Sequence, residues 1–245
     1  MGNINKDKKF ILSDTALNVV KNFSKFVDSV TISQKFVSYY VPGTAGIYLA
    51  PHYCAKGVDK ITITPISSFL DAVESVGLEY AQYERPYLVL GDEEEKYTLH
   101  TSTQHNQIIP DSTFKTMIAS EGEYCFSLDT DSEIFGKFNT FAATEGHDGL
   151  SIQNVGGMIY FESFSRHGIK GGKQRVLIDQ IEKYDDKRTV SIVRYSKTKM
   201  GTWHFQNIMS GKYEVKILPE LNVLFLSSTT AVGLHYVFSL VEATA

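Results

Sequence analysis

Apolar positions along this chain recur with two alternating periods, one of three to four residues and one of two, and the order of those periods runs through twice. In the first half Ala16, Val20, Phe23 and Val27 share one helical stripe, and Asn18, Lys21, Asn22 and Lys25 fall on the opposite side. Ser13 or Asp14 is placed to accept the free amide hydrogens of that helix's first turn. Runs rich in β-branched and aromatic residues follow at 30–33, 36–41 and 46–51, punctuated by the turn dipeptide Pro42-Gly43, and predict a meander of short antiparallel strands. Strand-like alternation at 60–64 leads through Pro65 into a second helix over Ile66–Val76, with Phe69, Leu70, Val73 and Val76 as its stripe and Gly77 as its stop. Strands at 80–90 and 96–103 close the half around an acidic hairpin loop at 91–95.

The polar stretch 102–113, with Gln104, His105, Asn106, Gln107 and Pro110, reads as a connector. Beyond it the same order returns. A strand at 124–128 precedes a helix over 131–144, capped by Thr130 or Asp131, with Ile134, Phe135, Phe138 and Phe141 inward and Glu133, Lys137, Thr140 and Thr144 outward. Strands at 149–164, 176–181 and 189–194, a helix over 197–209, and strands at 213–218, 223–227 and 234–241 complete the chain. A period near half the chain length predicts a pseudo-symmetric pair of α+β domains, 1–112 carrying the connector at its end and 113–245 following.

Composition narrows the function. A net charge of -4 and a pI near 6.0 exclude a generically basic nucleic-acid binder, so any DNA contact must come from a local patch. Such patches exist. Residues 187–213 hold six Lys or Arg and no acid, the glycine-rich loop at 165–175 is also acid-free, and 71–95 holds eight acids against Arg85 alone. Cys54 and Cys125, far apart in sequence, read as free thiols of a reducing compartment. The polar residues 1–10 contain no signal-type apolar core and no segment has the length of a membrane span, so a cytoplasmic protein is expected.

The chemistry-bearing residues do not assemble into a catalytic signature. His52 and Cys54 have no evident third metal ligand, and a buried thiol beside a surface histidine is the simpler reading. Gly146-His147-Asp148-Gly149 has turn chemistry, and Lys170-Gly171-Gly172-Lys173 lacks the strand context and ending of a phosphate-binding loop. No nucleophile elbow, zincin helix or calcium-binding loop is present. No enzyme activity, cofactor or metal is expected.

The segment Leu12-Ser13-Asp14-Thr15-Ala16-Leu17, followed by Val20-Lys21-Asn22-Phe23, resembles the first helix of the sliding clamps of T-even-type bacteriophages. The resemblance continues through Ile61-Thr62-Ile63 into Ser68-Phe69-Leu70, and through Ser210-Gly211-Lys212-Tyr213-Glu214-Val215-Lys216-Ile217-Leu218. It implies an α+β DNA-clamp fold whose two-domain subunits join head to tail as a homotrimer, with helices lining a central hole and sheets forming the outer wall. It further implies sequence-independent binding of duplex DNA by Lys21, Lys25, Lys137, Lys197 and Lys199, and service to a DNA polymerase and a clamp loader ATPase that dock short apolar tails. Ile108, Ile109, Leu218, Pro219 and Val232 are positioned in sequence to border such a dock, although core packing accounts for them equally. The alternative is a non-catalytic phage structural or interaction protein whose basic loop holds an acidic protein partner.

Overall fold

The computed structural model describes residues 9–41, 45–49, 54–102, 111–122, 125–165, 172–182, 190–194 and 204–240. The chain divides into two compact units, Met1–Tyr40 with Ile47–Ile108, and Val41–Gly46 with Ile109–Ala245.

Up to Ser102 the chain runs β1 (Ile11–Leu12), α1 (Asp14–Phe23), β2 (Val30–Ser33), β3 (Val37–Val41), β4 (Ala45–Leu49), β5 (Ala55–Lys56), β6 (Lys60–Ile63), α2 (Ile66–Val76), β7 (Gln82–Glu84), β8 (Tyr87–Gly91) and β9 (Lys96–Ser102). Of the two cap candidates for α1 the chain uses Ser13, whose hydroxyl accepts the Ala16 N–H at 3.2 Å. Ala16, Val20 and Phe23 of the expected stripe are buried, and Val19 is buried with them. Asn22 is buried as well, a correction to its expected place on the polar face. For α2 the observed bounds match the pattern, and its end is set by Gly77, which at φ +69 adopts a conformation that L residues avoid and donates its N–H to Val73. The expected continuous strand at 80–90 is instead two strands, because Arg85-Pro86 turns the chain between β7 and β8.

Strand β2 pairs antiparallel with β3 and β6, with the Thr31 and Thr62 hydroxyls meeting at 3.0 Å in the buried β2–β6 ladder. Sheet pairing then passes from β6 to β9 through only two residues, Thr62↔Ser102 and Ile63↔Thr101. Strand β9 pairs fully with β8, so among the described residues Lys96–His100 has a ladder partner on one side only.

The second unit runs α3 (Asp111–Ala119), β10 (Cys125–Asp129), α4 (Glu133–Thr144), β11 (Gly149–Val155), β12 (Met158–Phe164), β13 (Gln174–Gln180), β14 (Val190–Arg194), a 3-10 turn at His204–Asn207, β15 (Lys212–Leu218), β16 (Val223–Ser228) and β17 (Leu234–Ser239). One antiparallel sheet has the order β10-β15-β16-β17, and a second has β13-β12-β11-β14, with β13 at its edge. The Gly156-Gly157 turn joins β11 to β12, both glycines at positive φ. Helix α4 buries Phe135, Phe138 and Ala142 against the second sheet, where Phe161 meets Phe126 and Phe138 at ring distances of 5.9 and 6.0 Å. Its cap is Ser132, which accepts from the Phe135 N–H, in place of Thr130 or Asp131, and Ile134 is turned out to solvent. Of the expected helix over 197–209, the described part is the 3-10 turn, and 197–203 lie outside the described residues.

A shorter repeat emerges than the sequence pattern suggests. The order β-α-β-β-β occurs as β1-α1-β2-β3-β4, as β6-α2-β7-β8-β9 and as β10-α4-β11-β12-β13; β14 with β15, β16 and β17 carries the strands of a fourth.

Helix α3 departs from the sequence pattern, which places its residues within or beside the connector. Phe114 is inserted edge-on against Phe225 and His235, at 6.1 and 5.0 Å, and Met117 is buried one turn later. The Lys216 ammonium donates to the Ile118 and Ser120 carbonyls, both at 3.1 Å, satisfying the negative end of the helix. Burial of His235 lowers its pKa from 6.5 to about 4. The unfolded chain therefore takes up a proton near pH 6.5 that the folded chain refuses until about pH 4, and acidification through that window favours unfolding. We expect stability to be full above the upper limit and to fall by about 2 kcal/mol on reaching about pH 5 from this group alone. Thermal melts of wild type and His235→Gln across the window check it: a fall of equal size in the variant would contradict the assignment.

Candidate nucleic-acid interface

Burying one side of each helix leaves the other for a ligand, and the exposed faces differ in charge. Helix α1 presents Asp14, Thr15, Asn18 and Lys21. Lys25 lies past the helix end, in the turn that follows the Ser24 cap, and is also exposed, as is Asp28. Among the described residues neither Lys21 nor Lys25 forms an ion pair. The exposed face of α2 consists of Ser67, Ser68, Asp71, Glu74 and Ser75, with no base. Helix α4 presents Glu133, Ile134, Gly136, Lys137, Thr140, Ala143 and Thr144. There the Lys137 ammonium is 2.5 Å from the Glu133 carboxylate, one helical turn away, and both side chains are largely exposed. The Thr140 and Thr144 hydroxyls donate to the carbonyls of Gly136 and Thr140, so they turn back on their own helix.

Of the five lysines expected to face DNA, the structure thus brings Lys21 and Lys25 to one end of α1 in the first unit and places Lys137 on α4 in the second. Lys197 and Lys199 lie outside the described residues. The described faces of α1 with its following turn, α2 and α4 are not net positive, since Lys21, Lys25 and Lys137 are set against Asp14, Asp28, Asp71, Glu74 and Glu133.

Other charged and reactive groups are engaged in structure. At the described end of the basic 165–175 segment, Lys173 pairs with Glu162 at 3.2 Å, and the Arg175 guanidinium lies 3.9 Å from the centre of the Tyr160 ring. In the acidic hairpin, the Asp92 carboxylate accepts the N–H groups of Glu95 and Glu94, which holds it below the usual carboxylate range. Cys54 is buried and its thiol is pushed up to about 12 by that burial; His52 lies outside the described residues. Burial, reinforced by a hydrogen bond to Glu214, pushes the Cys125 thiol up to about 11. His147 is buried with Nδ1 against Ser163 at 2.9 Å, its pKa lowered by burial. Among the described residues no group of three or more His, Cys, Asp or Glu side chains is arranged to hold a metal. Leu218 belongs to the core, Val232 is 74% exposed, and Ile108 and Ile109 lie outside the described residues.

A second surface feature lies at two of the one-sided strands, β9 along Lys96–His100 and β13. Around the β9 edge Tyr87 and Tyr97 are exposed, and beside β13 so are Val155, Met158 and Leu177. A one-sided strand flanked by exposed apolar side chains is a template for adding another strand. Sequence periodicity could not reveal this, because which strand lies at an edge is decided by pairing between distant segments.

No protein-family model and no curated protein matches the chain. Solved structures do. The chain is similar to the PCNA2-PCNA3 complex of Sulfolobus tokodaii at 12% identity and a TM-score of 0.62, covering 95% of this chain and 98% of that one. It is similar to A. fulgidus PCNA with the C-terminal region of FEN-1 bound, at 11% identity and 0.62, over 96% and 99% of the two chains. It is also similar to the DNA polymerase sliding clamp of Caulobacter crescentus, at 10% identity and 0.66; there 99% of this chain spans 68% of the longer one. The chain has the sliding-clamp fold, α+β, with helices packed on antiparallel sheets in each of two pseudo-symmetric parts. Among the described residues no helix is long and apolar enough to cross a membrane.

Proposed function

We propose that this chain is a non-catalytic sliding clamp that encircles duplex DNA and tethers a replicative DNA polymerase. The observation that carries the reading is the clamp fold over nearly the full length of the PCNA chains, in a protein where, among the described residues, Lys96–His100 of β9 and the whole of β13 have a ladder partner on one side only. Joining the β9 edge of one copy to the β13 edge of the next is a heterologous contact, which closes into a ring when its rotation divides the circle. Three copies are favoured by the resemblance of the α1 and β15 sequences to T-even-type phage clamps. With 1–112 and 113–245 as the two clamp domains, the ring would hold DNA by topology, in the host cytoplasm if the protein is phage-encoded.

Affinity can then stay low. Lysine contacts to phosphates read no bases and exchange readily, so Lys21, Lys25, Lys137, Lys197 and Lys199 would permit sliding. Polymerase and loader ATPase are the proposed protein partners, docking by short segments, a mode supported by the FEN-1 segment on the A. fulgidus neighbour.

The expected result is a species of three times 27.5 kDa by sedimentation that is retained on nicked circular DNA after loading and lost when the circle is cut. A monomer retained equally on both DNA forms would rule the clamp out. The acid-rich exposed faces favour a second reading, a phage interaction protein without DNA contact. Alanine at both Lys197 and Lys199 separates the two, lowering DNA loading for a clamp and changing nothing for a scaffold.

A further inference from the structure

We propose that Glu133 is an internal counter-ion that competes with DNA phosphate for Lys137 and so keeps the contact made by α4 weak and rapidly exchanging. This inference rests on the clamp reading above and names what tunes the affinity of the proposed surface.

The geometry comes first. Lys137 and Glu133 form the helix pair at i and i+4 with the acid toward the N-terminus, the favourable orientation for such a pair. They line an open groove of about 710 Å³ together with Thr130, Asp131, Ser132, Gly136 and Thr140. At Gly136 a side chain would meet nothing within 4 Å, so bare helix backbone forms part of the floor and an extended polyanion can approach closely. Among the described residues that line the groove, Lys137 is the one cation, and Asp131 and Glu133 are the acids. The Asp129 carboxylate, near the same end, accepts the Asp131 N–H at 3.0 Å. The Thr140 hydroxyl is already donated to Gly136, which leaves Lys137 as the side chain able to meet a phosphate there with full charge.

The energetics follow from exchange. A phosphate that reaches Lys137 does not gain a free ammonium; it gains the difference between a phosphate pair and the Glu133 pair, and it acquires Glu133 as a like-charged neighbour. Lys21 and Lys25 carry no such competitor among the described residues. Among the described residues, the end of α1 therefore offers unpaired cations and the exposed face of α4 a masked one, a distinction that counting lysines along the sequence misses.

The test uses the full chain and short linear duplexes, which need no ring closure. Glu133→Gln should bind duplex about twofold more tightly per copy, on the order of tenfold for a ring of three, with a steeper dependence on salt because one more phosphate is neutralised per copy. In Glu133→Gln combined with Lys137→Ala the gain should vanish, and Lys137→Ala alone should weaken binding less than Lys21→Ala. Unchanged affinity and salt slope in Glu133→Gln would overturn the proposal. So would a gain of the same size without Lys137, or absence of duplex binding by every variant at low salt. Helical content by circular dichroism verifies that the exposed pair is not needed for folding. Retention on circular against linear DNA tests the clamp reading separately, so each can fail without the other.

Discussion

Leu177→Asp is expected to sediment as a folded 27.5 kDa monomer and to lose retention on circular DNA. Leu177 is 45% exposed on β13, beside Val155 and Met158, and β13 pairs with β12 on one side only. In the single chain an aspartate there meets water, and the change in folding stability should stay within about 0.5 kcal/mol. In the proposed ring the same carboxylate would lie in an apolar strand-to-strand seam without a partner, a cost of about 3–5 kcal/mol at each of the joints. That weakens every joint by a factor on the order of a thousand, so the ring should open at micromolar concentration. Equilibrium sedimentation, with circular dichroism to establish folding, decides it. An oligomer of wild-type stability would show that β13 is not the joining edge.

Phe161→Ala should destabilise the second unit by about 3–5 kcal/mol, a large share of the 5–15 kcal/mol available to an ordinary domain. Phe161 is fully buried on β12, and its ring is shared between Phe126 of β10 and Phe138 of α4. It therefore links both sheets of the unit to the helix that carries Lys137. Truncation leaves a cavity between elements that are each fixed by their own ladders and cannot collapse easily into it. Urea titration should show a lower midpoint with little change in slope. A loss below about 1 kcal/mol would mean that the three rings are not a shared core.

The fold was legible where one local period dominates. Helices α1, α2 and α4 announce themselves because three or four large apolar residues return every turn, and the strand runs because β-branched residues alternate between turn residues. What escaped was weakly periodic or non-local. Helix α3 has two anchors, Phe114 and Met117, too few to raise a helical pattern above its polar surroundings. Arg85-Pro86 breaks a run that looks continuous because aromatic residues flank it on both sides. Ile134 faces solvent because Phe135 and Phe138 already fill the space beneath α4, a limit set by volume that hydrophobicity alone does not express.

The surface was harder to read than the core. Charge counts located the lysines, but the sign of a face depends on which acids share it, and Lys25 left its helix because the Ser24 cap ends α1 without a glycine or proline to announce it. The Glu133–Lys137 pairing was implicit in its spacing of four and became informative only once the groove beside it was seen. The one-sided strands depend on ladders between segments tens of residues apart, about which local patterns are silent.

Nine residues are too few for a helix to persist alone in water, so α3 exists only while Phe114, Met117 and Lys216 hold it to its bed. A pull on the chain just before Asp111 would then be absorbed by unravelling this one short coil, lengthening the tether while the ladder between β10 and β15 stays intact. Under such a load the helix is expected to give way as a mechanical fuse, sacrificed before the ladder beside it.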